Sequence, residues 1–189
     1  MAPRAVPLEV NRSAEAAAVL ARAFHEDDLF AAMFPDRATR QRKIAAYGLW
    51  SIRSHLLGGA VVETTSSLRG VCLWQPPGHS FPWWLGVRLL PQTAAFLWAL
   101  GRDARRNLGW FTHEERRRQA VPRQLHWFLV MLGVEPSFQR CGVGAALALH
   151  GLSRADADGV PRGGWCALDR EAPPGASAPH DPNMRGVCG

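Results

Sequence analysis

The chain has 189 residues, 47% of them apolar and 20% charged, which suits one domain with a full core and excludes two comfortable ones. Its net charge of +6 comes almost wholly from arginine, because Lys43 is the only lysine. A basic balance suits an anionic ligand, whether nucleic acid, membrane or a phosphorylated cofactor, and does not choose among them. Cys72, Cys141, Cys166 and Cys188 form no C-x-x-C pair and no zinc pattern with the seven histidines, so no metal is expected. The start MAPRAVPLEV contains no apolar signal core, and a reducing cytoplasm with free thiols is the expected setting.

In chain order, residues 5–10 read as a first strand. Ser13 then opens SAEAAAVLARAFHED, where Val19, Leu20, Ala23 and Phe24 make an apolar helical stripe. Pro35 breaks the next helical stretch. Residues 37–57 predict a long helix, with Ile44, Tyr47, Leu49 and Trp50 apolar and Arg40, Arg42 and Lys43 polar, stopped by Gly58 and Gly59. Strands follow at 59–65 and 68–75 around a Ser66–Ser67 turn, and Pro76, Pro77 and Gly78 end the second.

Residues 79–122 predict a helical insertion, rich in tryptophan and then arginine. Within it, 81–101 has the length of a membrane span but carries Arg88, Pro91 and Gln92 near its middle. An arginine at the bilayer centre costs roughly 2.5–3.5 kcal/mol on insertion scales, so a pair of short buried or cleft-lining helices is expected instead. Residues 125–134 predict a strand with His126, Phe128, Val130, Leu132 and Val134 on one face and Trp127, Leu129, Met131 and Gly133 on the other. Both faces are apolar, as in a strand buried centrally in a sheet. A loop at 136–140 and a helix at 142–157 follow. Residues 161–189 lack any periodic apolar run, so a folded domain at 1–160 is expected to end in an atypical tail, irregular or disordered.

The chemistry concentrates in VEPSFQRCGVGAAL, residues 134–147. A glycine-containing turn into a helix leaves several backbone N–H groups unpaired, and with the helix dipole they form a site for a pyrophosphate. Gly142 and Gly144 would let phosphate oxygens approach the backbone, and Arg140 adds a charged donor. A strand-to-helix connection in any α/β domain would also use such glycines. The spacing excludes a Walker A loop, which needs G-K-[ST], and a dinucleotide fingerprint, which needs a third glycine.

This segment closely resembles the acyl-CoA loop of the GNAT superfamily, [QR]-x-x-G-x-[GA], with Gln139, Gly142 and Gly144 at its fixed positions. The run GVCLWQPPG at 70–78 is similar to the third strand of a subgroup that includes puromycin-type acetyltransferases. The resemblance implies an α/β (α+β) fold, with helices flanking a mixed central sheet whose fourth and fifth strands splay to admit acetyl-CoA as cosubstrate. It further implies that Leu132, Gly133 and Val134 receive the pantetheine arm and that Gln139, Arg140, Cys141, Gly142, Val143 and Gly144 surround the pyrophosphate. The activity implied is direct transfer of acetyl to the amine of a small molecule, with a base and an acid assisting.

The family's usual acid is a tyrosine on a late helix, whereas Tyr47 is the only tyrosine here and lies early. His126 and Glu63 are the candidate bases, each with the alternative of an ordinary strand residue. The acidic run from Glu26 to Asp28, with His25, suits a cationic amine or a solvated helix end, and Glu135 is expected to face solvent. The arginines from Arg102 to Arg118 lack the interleaved aromatics of a single-strand platform, so no nucleic-acid partner is expected. The family's closing strand and N-x-x-x-Y pattern find no match in 161–189, so the resemblance implies a shifted reading frame, a truncated paralogue or a divergent folded tail there. The alternative to an active enzyme is a non-catalytic CoA-binding remnant with a disrupted C-terminus. In either case the edge of strand 125–134 is expected to be covered in a homodimer by strand addition.

Overall fold

The structure is a computed structural model that describes residues 4–78, 83–105, 107, 109, 127–159 and 162–164. Strand β1 (Ala5–Pro7) leads through a 3-10 turn at Val10–Arg12 into helices α1 (Ser13–Ala23), α2 (Asp28–Met33) and α3 (Arg37–Leu57). Strands β2 (Val61–Thr65) and β3 (Gly70–Gln75) follow, then helix α4 (Trp83–Leu100), strand β4 (Trp127–Val134), helix α5 (Val143–Ala157) and strand β5 (Arg162–Gly164). The five strands lie in sequence order. The first four are successively antiparallel, and β5 runs parallel to β4.

Local chemistry accounts for the helix starts. The Asp27 carboxylate accepts from the Leu29 and Phe30 N–H groups at the head of α2, and Asp36 does the same for Ala38 at the head of α3. The Thr39 hydroxyl and that Ala38 N–H hold the Asp36 carboxyl below its ordinary range. The first strand ends at Pro7, short of the expected residue 10, because the chain tightens into its 3-10 turn, where the Ser13 hydroxyl donates to the Val10 carbonyl at 2.6 Å.

Helices α1 and α3 cover one face of the sheet. Ala16, Ala17, Leu20 and Ile52 pack there on Val62, Val71, Leu73 and Met131, and each fully buried large side chain contributes about 1.5–3 kcal/mol. Helix α5 covers the other face, over Cys72, Trp74 and Trp127. Helix α4 forms a further layer outside α3. Phe96 stacks on Trp50 with ring centres 5.3 Å apart, and the Trp50 indole donates to Thr93. Lys43 binds Asp103 at 2.6 Å just past the end of α4.

Three expectations need correction. The stretch at 81–101 is one continuous helix from Trp83 rather than a pair, with Pro91 inside it. Proline removes the hydrogen bond to the Val87 carbonyl, but Pro91 and Val87 both face solvent, so water can replace it. No helix among the described residues is long and apolar enough to cross a membrane.

The second correction concerns β4. Leu73 pairs with Met131 and Trp74 with Leu129, so Val130 is an extra residue in the ladder. This bulge reverses the alternation. Trp127 and Leu129 join Leu132 and Val134 under α5, while Val130 and Met131 pack toward α1. Third, residues 162–164 of the expected irregular tail form β5, opposite Trp127, Phe128 and Leu129. His126 and residues 165–189 lie outside the described residues.

Candidate functional site

The site is built where β4 runs into α5. Before the Val130 bulge β4 is paired on both edges; beyond it, no strand partner is described for the edge away from β3. That edge carries Leu132, Gly133 and Val134. The side chains of Leu132 and Val134 turn toward α5. Gly133 faces α1, where an added Cβ would lie 2.7 Å from Leu20 Cδ2 and 3.2 Å from Ala23 Cβ. Close packing of α1 on β4 thus favours glycine at 133, independently of any ligand.

The turn after β4 is firmly held. The Glu135 N–H donates to the Arg69 carbonyl at 2.8 Å. Its carboxylate, expected in solvent, instead accepts from Arg22 Nε at 2.8 Å and Nη2 at 2.7 Å, tying α1 to the strand end. Those bonds raise the Arg22 pKa, against a lesser desolvation that lowers it. The Arg69 guanidinium sits 4.2 Å from the centre of the Phe138 ring. Gln139 donates back to the Val134 carbonyl at 3.3 Å.

The chain then enters a left-handed stretch. Arg140 has φ +59° and Gly142 φ +78°, and an arginine in that region is uncommon. Gly142 caps α5 without any side-chain hydrogen bond. The first regular bond of α5 joins the Ala146 N–H to the Gly142 carbonyl, which leaves the N–H groups of Val143, Gly144 and Ala145 without intrahelical partners. Gly142 is required by its φ. Gly144 is not required by packing, since an added Cβ would meet only Val134 Cγ2 at 3.4 Å and Leu132 Cδ2 at 4.0 Å. A glycine within a helix costs up to about 1 kcal/mol relative to alanine, so the fold alone gives no reason for it. Cys141 is exposed beside it.

Glu63 lies elsewhere, on the α5 face of β2 and fully buried. Its Oε1 is 2.9 Å from His150 Nδ1 and accepts from Arg154 Nη2 at 2.7 Å. Glu63 Oε2, Arg154 Nε and Trp74 Nε1 are buried without a partner among the described residues. Burial, with the nearby Glu63 charge, pushes the Cys72 thiol far up. This is a fully buried carboxylate paired with a partly exposed arginine of α5, not an exposed strand carboxylate. The helix spacing His150 to Arg154, four residues on one face, was the available but unspecific signal for it.

The run at 25–28 is also committed locally. Glu26 pairs with Arg37, and Asp27 caps α2.

Among solved structures, a Corynebacterium glutamicum protein described as "histone acetyltransferase HPA2 and related acetyltransferase" is similar, with a TM-score of 0.55 and 24% identity over 82% of this chain and 72% of that one. The fold is GNAT-like. In this chain α4 lies between β3 and β4. No protein-family model and no curated protein matches the sequence.

Proposed function

We propose that this chain is an acyl-CoA-dependent N-acyltransferase that moves an acetyl group from acetyl-CoA to the amine of a small molecule. The observation that carries the reading is the α5 N-terminus. Three N–H groups lack helical partners there, and Gly144 leaves open a space that a side chain would fill. The residues present suit a diphosphate: N–H donors from Val143 to Ala145, and Arg140 beside them. The edge of Leu132, Gly133 and Val134, unpaired among the described residues, offers strand-type hydrogen bonds to an amide-bearing arm.

Acetyl-CoA supplies the activated thioester. On the protein side, a β4 backbone N–H freed at the Val130 bulge would polarise the carbonyl oxygen as the neutral amine attacks. The amine proton passes to water or a base, and the sulfur takes a proton on leaving. His126 is our candidate base, and Glu63, buried under α5 and bonded to His150 and Arg154, is assigned to anchoring α5.

Acetyl-CoA or CoA should raise the melting temperature of the whole chain. In Gly144→Asp, bulk and negative charge enter the phosphate space, and affinity should fall at least tenfold, or about 1.4 kcal/mol. Absence of any shift on folded protein, or equal affinity in the variant, would overturn the reading. Acetyl-CoA binding without thiol release in the presence of a panel of amines would mean a CoA-binding protein rather than an enzyme.

A further inference from the structure

Helix α4 turns Leu85, Leu89, Phe96 and Leu100 inward, yet its outward face is also apolar. Trp98 is 87% exposed, Leu90 61% and Val87 57%. At 100° per residue, Trp84, Val87, Pro91, Ala94 and Trp98 fall along one line, and all are exposed. The two tryptophans end a strip about 21 Å long. Nothing in the acyl-CoA reading uses this face, because α3 and α1 lie between α4 and the sheet.

Among the described residues 83–105, the exposed charge has one sign. Arg88 on its flank and Arg102 and Arg105 past its end are exposed. Asp103, the one acid in residues 83–105, is bonded to Lys43. A second copy would bring like charges together across the contact. The strip is also small: an 18-residue helix is roughly 27 Å long and 10 Å wide, well short of the about 800 Å² per partner of a stable interface. An anionic lipid surface meets both conditions, since tryptophan favours the headgroup level and each nearby arginine adds attraction.

We propose that the outer face of α4 docks onto an anionic phospholipid bilayer, with the helix lying in the plane of the surface. Insertion of Trp84, Leu90 and Trp98 into the headgroup boundary supplies the apolar contact. Arg88, Arg102 and Arg105 select for anionic lipid. The proposal is independent of the acyl-CoA reading.

The test is co-sedimentation of the full chain with phosphatidylcholine vesicles, with and without phosphatidylglycerol. The chain should sediment with the anionic vesicles, less so at high salt, and remain in solution with the neutral ones. The double variant L90S/W98S changes only exposed positions and should sediment at least tenfold less, with unchanged circular dichroism. The charge variant R102E/R105E should lose its preference for anionic vesicles. No binding to anionic vesicles, or binding unaltered in L90S/W98S, would overturn the proposal, the latter by reducing it to unspecific charge. A lipid-indifferent dimer that L90S/W98S dissociates would assign the face to a second copy instead.

Discussion

The two faces of the sheet solve the same packing problem with different chemistry. Under α1 and α3 the contact is mostly apolar, with one buried polar link between His55 of α3 and Gln75 of β3, and closeness comes from small residues such as Ala17 and Gly133. Under α5 the contact includes a buried glutamate, a buried thiol and a tryptophan fitted against Gly151. The first face needs two helices and has no further task. The second has one helix, which must both cover the sheet and hold its N-terminus at the end of β4. A directional ion pair from Glu63 to His150 and Arg154 pins that helix in position, which apolar contact alone does less well.

The comparison is most sharply tested by adding one methyl group to each face. An alanine Cβ at 151 would overlap the Trp74 indole, and Trp74 is almost fully buried. G151A should therefore lose more than about 3 kcal/mol, near the upper end for overpacking. In G133A the nearest atom is the flexible tip of Leu20, and a loss of about 1 kcal/mol is expected. Urea denaturation measures both, and equal losses would remove the distinction between the faces.

Removing Arg154 should cost about 3 kcal/mol, the lower end for breaking a buried pair, because His150 remains and Arg154 is partly exposed. Replacing both partners, as E63L/R154L, should recover most of that loss. If R154A is neutral in the same denaturation experiment, the pair does not anchor α5. The smallest effect should be a gain. G144A has room for its methyl group and should stabilise the chain by about 0.5 kcal/mol while weakening CoA binding. A stabilised variant with unaltered CoA affinity would separate Gly144 from the ligand.

The glycine turn at the head of α5 was legible because it is local. The residues from Gln139 to Gly144 are contiguous, and the conformation of a strand-to-helix turn depends on glycine and on unpaired N–H groups within a few positions. The strand at 125–134 was legible as a buried strand but not as to which residues share a face. A bulge at Val130 is a property of pairing with β3, and nothing in an all-apolar run marks where the extra residue falls. Glu135 looked solvent-facing because its partner, Arg22, is far off in sequence.

By itself, the sequence determined most of the succession of strands and helices and the glycine turn into α5, since each depends on hydrogen bonds and dihedral preferences among near neighbours. Only the tertiary structure decided the fate of Glu63, whose partners lie 87 and 91 positions away, and the unbroken course of α4 through Pro91. A buried carboxylate is recognised by what surrounds it in space. A proline is tolerated in a helix when the carbonyl it frees faces water, and both conditions are set by packing between distant segments.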